Sequence, residues 1–194
     1  MSTADTKELR ALSDEELVAQ ILKSRQPQLF EIIYDRYVDK VFRKCISFTT
    51  NRDEAQDLAH DVFIKIYTSL VKFQGRSKFS TWVYAITYNK CVDYQKAKKK
   101  RNLLMSELAE AQLREKEEPS DEDLFAIRAD HLMKALDLLD PNDKALLLMK
   151  YQDKQSLKNI MQLLGISESA VKMRLKRSKQ RLLKLIDEEI RISL

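Results

Sequence analysis

At 194 residues the chain can hold one large domain or two small ones, and its charge pattern favours two. Only two glycines and three prolines occur while Leu, Lys, Glu, Ala and Ile abound, which excludes a turn-rich sheet fold and predicts an all-α protein. The formal charge of +5 is moderate, but it is concentrated in a block at Lys96, Lys98, Lys99, Lys100 and Arg101 and a second at Lys172, Arg174, Lys176, Arg177, Lys179, Arg181 and Lys184. Two basic surfaces suggest two contacts with a polyanion. The first residues, MSTADTKELRALSDEE, lack the apolar core of a signal peptide, and no apolar run reaches membrane-span length, so a cytoplasmic protein without membrane insertion is expected.

Taken in chain order, Ser13 with Glu16 three places on is a capping-box signature, and Leu17, Ile21 and Leu22 follow at helical spacing. A short helix over about 14–24 is predicted. Pro27 sits where a first-turn proline is tolerated. The stripe Leu29, Phe30, Ile33, Tyr34, Tyr37, Val41, Phe42, Cys45 and Ile46 then predicts a longer helix to about residue 48. Cys45 and Cys91 lack the paired spacing of a metal knuckle and are read as small core residues without a disulfide.

After TTNRD, Ala55, Leu58, Ala59, Val62, Phe63, Ile66 and Leu70 mark a third helix with acids in its first turn. Asp57, His60, Asp61 and Ile64 share its other side. Paired carboxylates raise metal or acid–base chemistry, yet no second ligand cluster accompanies them. No catalytic residue, metal site or cofactor is expected, and composition leaves a solvated face beside a binding face as readings.

A loop around Gly75 leads into a fourth helix over about 79–100. Phe73, Arg76, Ser77, Lys78, Phe79, Ser80, Thr81 and Trp82 gather aromatic, cationic and hydroxyl groups beside it, a mixture that suits unpaired bases. The alternative, plain core, is adopted for Phe79, Val83 and Ile86. Residues 99–123 are charged, contain Pro119, and carry a weak apolar repeat at Leu104, Leu108 and Leu113, so they are read as a linker with some helical character. Within it, residues 107–123 hold eight acids against Arg114 and Lys116, a net charge of −6. A second domain resumes near Leu124, where Ile127, Leu132, Ala135, Leu136 and Leu139 predict an amphipathic helix. Asp140, Pro141, Asn142 and Asp143 then start another that covers Ala145 to Tyr151.

The stripe Leu157, Ile160, Met161 and Leu164 is followed by Gly165, Ile166 and a new cap at Ser167, the pattern of a helix-turn-helix. Gly165 supplies the positive φ of the sharp turn. In the next helix Val171, Leu175, Ser178 and Leu182 should pack inward. Ser169, Lys172, Met173, Lys176 and Gln180 project the other way, flanked by Arg174, Arg177 and Arg181. Such a face enters the major groove, with early residues reaching bases and later cations reaching phosphate. A hairpin with merely solvated charges is the alternative, but cap, turn, buried register and one-sided charge agree on DNA. Five phosphate contacts would give a salt slope of about −4.5. Met161 stands where most such units place alanine.

The segments DEAQDLAHDVFIKIY, FQGRSKFSTWVYAITYNKCVDY and LLDPNDKALLLMKYQDKQSLKNIMQLLGISESAVKMRLKRSKQRL together resemble the extracytoplasmic-function sigma factors of bacterial RNA polymerase, in order and over nearly the whole chain. The resemblance implies a promoter-melting and core-polymerase-binding domain at 10–98, the acidic linker at 99–123, and a helix-turn-helix domain for the minus-thirty-five element at 124–192. Upstream bases would be met by Ser169, Lys172, Met173, Arg174, Lys176 and Arg177. The loop at Phe73 to Phe79, with Gln74, Arg76, Ser77 and Lys78, would capture a flipped base of the minus-ten element. Trp82, Tyr84, Asn89, Asp93 and Lys96 would line the adjoining strand, and Ser80 and Thr81 would contact the same element. Asp57, His60, Asp61 and Ile64 match positions that grip a basic coiled coil in the polymerase clamp, although His60 replaces the usual glutamine. Housekeeping sigma factors place a tryptophan pair where this chain has Ala85 and Ile86, which implies weaker melting and a demand for a closer promoter match. The acidic linker would occupy the basic RNA-exit path as an RNA mimic would.

The partners so implied are core RNA polymerase, promoter DNA and an anti-sigma factor, without a small-molecule substrate. A stand-alone helix-turn-helix regulator and a helical scaffold that sequesters transcription partners are the competing readings.

Overall fold

The computed structural model describes residues 9–24, 26–106 and 121–193, with side chains for 9–24, 26–103 and 130–191. Its regular elements are all helical, and it divides into two units, Met1–Lys98 and Lys99–Leu194.

In the first unit, α1 (Asp14–Ser24) opens on the capping box read from the sequence. The Ser13 amide and hydroxyl donate to the Glu16 carboxylate at 2.8 and 2.6 Å, and the Glu16 amide donates to Ser13 Oγ at 3.3 Å. A 3-10 turn, Pro27–Leu29, feeds α2 (Phe30–Ile46), and Asn51 caps α3 (Arg52–Ser69) by accepting the Glu54 amide at 2.8 Å. A second 3-10 turn, Leu70–Lys72, precedes the loop to α4 (Phe79–Ser106). Leu17, Ile33, Val41, Cys45, Val62, Ile66, Phe79, Val83 and Cys91 form the core. Burial of each larger side chain stabilises the unit by about 1.5–3 kcal/mol.

Some expectations shift. α2 stops two residues before 48, and Phe48, just beyond it, is buried with its ring edge-on to Tyr88 at 5.7 Å. Leu22 and Ile46 fit the apolar period but are exposed, because they stand at the edges of their stripes, and Tyr34, within its stripe, is partly exposed with its ring against Phe63 at 4.5 Å. Ile86, expected in the core, is only half-buried. Its position lies between Trp82 and Val83 around α4, about 40° from the first and 60° from the second, at the margin of the buried face formed by Val83, Thr87 and Cys91.

The fourth helix runs past its expected end near 100, into the segment read as a partly helical linker. α4 runs on to Ser106 and α5 (Asp121–Leu138) begins at Asp121, so 99–106 and 121–123 are helical. Lys, Arg, Leu and Met are good helix formers, and a positive block without glycine or proline does not stop a helix already under way. The acids Glu107 to Glu118, with Leu108, Leu113 and Pro119, lie outside the described residues.

In the second unit Ala135 and Leu139 are buried as expected, whereas Leu132 is exposed. α6 (Pro141–Leu147) starts on the cap-plus-proline signature read from the sequence, with Asp140 accepting the Asn142 amide at 2.9 Å and Pro141 in the first turn. It continues as a single π turn, Leu148–Gln152. Lys144 is almost wholly buried and pairs with Asp137 at 2.7 Å. α7 (Leu157–Leu164) and α8 (Glu168–Ser193) complete the unit.

Candidate nucleic-acid and polymerase interfaces

The turn between α7 and α8 is built by Gly165, at φ 64° and ψ 32°, the left-handed conformation that ends a helix. Its amide donates to the Met161 carbonyl at 2.8 Å, and that of Ile166 donates to the same oxygen at 3.3 Å. Ser156 caps α7 by accepting the Asn159 amide at 3.1 Å, and Ser167 caps α8 by accepting that of Ala170 at 3.3 Å. Ile160 is buried and Met161 half-buried at the crossing.

The register of α8 follows the sequence reading. Val171 and Ser178 are fully buried, and Leu175 and Leu182 are half-buried. Ser169, Met173, Lys176, Arg177 and Gln180 are exposed within about 60° of one line along the helix, with Lys172 and Arg174 on its two flanks. Lys172 pairs with Glu168 at 2.6 Å, which holds the Glu168 carboxyl below its ordinary pKa. Both groups are exposed, so a phosphate can compete for the lysine.

Arg181 has a different place. It pairs with Asp143 of α6, whose other oxygen accepts the buried Ser178 hydroxyl at 2.7 Å. Arg181 and Asp143 thus fix the seat of α8. Sequence reasoning missed Asp143 as anything but part of a helix start, since its partners lie 35 and 38 residues away.

In the first unit, the loop after α3 begins at Phe73 and turns at Gly75, φ 67°. Phe73 lies edge-on to Phe79 at 5.2 Å and tilted against Trp82 at 5.5 Å, and Phe79 meets Trp82 at 5.5 Å. Phe79 is buried; Phe73 and Trp82 are half-buried around it, so two partly open rings stand at the base of the loop. Gln74, Arg76, Lys78 and Ser80 are exposed, and Ser77 and Thr81 partly so. This arrangement can stack a base while cations and hydroxyls meet its edge and phosphate.

Along α4, Trp82, Asn89, Asp93 and Lys96 fall within about 40° of one line, and Ala85 and Ile86 share that side. Asn89, Asp93 and Lys96 are exposed. Tyr84 does not join them. It stands about 200° around the helix from Trp82, with its ring against buried Tyr88 at 4.7 Å. Ser80 likewise lies across the helix from Trp82.

On α3, Asp57, His60, Asp61 and Ile64 are all exposed on one side, opposite buried Leu58, Val62 and Ile66. Asp61 is engaged by Lys90 of α4 at 3.1 Å. The apolar part of this surface is larger than the sequence reading allowed, because Tyr67 and Val71 are exposed as well. Val71 stands seven residues after Ile64, a spacing that could have flagged it. Among the described residues no group of three or more His, Cys, Asp or Glu is placed to hold a metal ion.

The family model Sigma-70 region 2 matches residues 33–101, and Sigma-70, region 4 matches 130–182. The chain is 28% identical over 175 residues to the ECF RNA polymerase sigma factor SigW of Bacillus subtilis (strain 168), covering 86% of this chain and 93% of that protein. It is 33% identical over 90 residues to the ECF RNA polymerase sigma-E factor of Escherichia coli (strain K12), 46% of each chain. In fold it is similar to CnrH in its complex with the cytosolic domain of CnrY, with TM-score 0.58, 19% identity, and 90% and 97% of the two chains covered. It is also similar to the sigma factor RpoE of Bartonella quintana in complex with the anti-sigma factor NepR, with TM-score 0.54, 19% identity, and 81% and 96% covered.

Proposed function

The chain belongs to the extracytoplasmic-function sigma factors, which recognise promoters for core RNA polymerase, and we propose that it divides this task between its two units. The first, at about 10–98, binds the polymerase clamp through Asp57, His60, Asp61 and Ile64 and holds the minus-ten strand on the loop at 73–82 and the Asn89, Asp93 and Lys96 side of α4. The second, at about 124–192, reads the minus-thirty-five element with Ser169, Met173, Lys176 and Arg177, while Lys172 and Arg174 reach phosphate from the flanks. The observation that carries this reading is the presence, in one chain, of a loop with partly open rings and exposed cations and of a helix with an exposed basic face after a left-handed glycine turn, in the order of the two matched regions.

The protein positions and polymerase does the chemistry, so transcription initiation at a restricted set of promoters is its output and no reaction is assigned to its own side chains. Its place of work is the cytoplasm, where polymerase and DNA are; no described helix is long and apolar enough to cross a membrane. An anti-sigma factor that covers its promoter-binding surfaces is the proposed regulator.

Run-off transcription with purified core polymerase tests the reading. Initiation that depends on this chain, together with weak duplex binding by the chain alone, supports it. Tight binding of palindromic duplex by a dimer without polymerase would show a stand-alone regulator instead.

A further inference from the structure

We infer that Glu15 is a positioning residue for the minus-ten loop, acting through the first turn of α4; the inference rests on the assignment of that loop to the minus-ten element. α4 begins at Phe79, and the residue before it is Lys78, whose ammonium donates hydrogen bonds but cannot accept them. The first N–H groups of a helix need acceptors, which α1, α3 and α7 take from Ser13, Asn51 and Ser156 at their own starts. For α4 an acceptor comes from 64 residues away. Glu15 Oε1 accepts the Phe79 amide at 2.7 Å. A carboxylate there also suits the positive end of the helix dipole.

The first turn of α1 is held so that Glu15 stays on target. Glu16 is locked to Ser13, and Asp14 accepts the Tyr37 hydroxyl and pairs with Arg36 at 2.5 Å. The Tyr37 ring in turn meets Phe79 edge-on at 5.9 Å. Phe79 is the ring on which both Phe73 and Trp82 rest. Fixing its amide therefore fixes the base of the loop that carries Gln74, Arg76 and Lys78. Glu15 itself is exposed, so replacing it opens no hole in the core.

Trp82 is the single tryptophan of the chain, so acrylamide quenching of its fluorescence in the full-length protein reads the platform without DNA. A second measurement is the affinity of the reconstituted holoenzyme for a fork DNA with a single-stranded minus-ten segment, with core affinity followed by competition. Glu15→Ala, and Glu15→Asp, which is one methylene too short, should increase quenching and weaken fork binding about tenfold, the loss of one good cap. Glu15→Gln keeps an acceptor oxygen and should stay close to the parent in both, with core affinity unchanged throughout. Parental quenching and fork affinity in Glu15→Ala would overturn the inference, as would equal failure of all three variants together with lost core affinity. Increased quenching with unchanged fork binding also overturns it, leaving the loop assignment standing if Arg76→Ala weakens the fork complex. If Arg76→Ala leaves the fork complex intact as well, the loop assignment has failed and this inference with it.

Discussion

Glu54 shows how much a single carboxylate can join. Tyr94 donates to it at 2.6 Å, Lys98 at 2.9 Å, and the Thr50 hydroxyl and amide at 3.0 and 3.2 Å, tying the start of α3 to α4. The Tyr94 hydroxyl first, then Lys98, holds its carboxyl down from 4.5 to about 2. The folded value lies below the unfolded one, so the network stabilises the fold above about pH 4.5 and is lost as pH falls toward 2. Glu54→Gln should lower stability by about 1 kcal/mol at neutral pH, because the site is partly solvated, and should flatten the loss of stability between those two pH values. Chemical unfolding followed across that pH range checks both. In the sequence Glu54 is legible only as a first-turn acid, since Tyr94 and Lys98 lie 40 and 44 residues on.

At the scale of elements, the legible features were local ones. The Ser13 box, Pro27, the Asp140 cap and the Gly165 turn each depend on residues within four positions of one another, and each is where the sequence placed it. The end of α4 was not legible, because a charge run carries no stop signal of its own. Nor was the seat of α8, which depends on Asp143 from another helix. Asp143→Ala should destabilise the second unit by about 1–2 kcal/mol, the loss of a hydrogen bond to a buried hydroxyl and of an ion pair. The Ser178 hydroxyl keeps the Arg174 carbonyl at 2.9 Å, so the loss stays below that of a fully orphaned group. Thermal unfolding of the full chain, together with minus-thirty-five binding by the holoenzyme, measures it. On the proposed function, binding should fall even under conditions where the unit stays folded, since α8 has lost its anchor.

At the scale of the whole molecule, composition gave the helical class and the two basic blocks, and motif order gave the two regions that the family models match. Faces on a single helix were also readable, which is why the exposed line of α8 and the Asp57 side of α3 match the sequence reading. What composition and spacing could not give was contact between distant elements: the Phe73, Phe79 and Trp82 cluster, the Lys90 partner of Asp61, and the position of Tyr84 away from the side it was expected to share. Those come only from packing.

The central claim is that this chain touches a promoter twice, through separable surfaces, and only as a polymerase subunit. Footprinting the reconstituted holoenzyme on a promoter, with permanganate to mark unpaired thymines, tests it most directly. The account predicts two zones: Lys172→Ala with Lys176→Ala weakens upstream protection several-fold while the minus-ten thymines of the remaining complexes stay reactive, and Arg76→Ala with Trp82→Ala abolishes that reactivity while upstream protection persists. The same protection by the chain without polymerase, or both zones responding identically to either pair of substitutions, would contradict it.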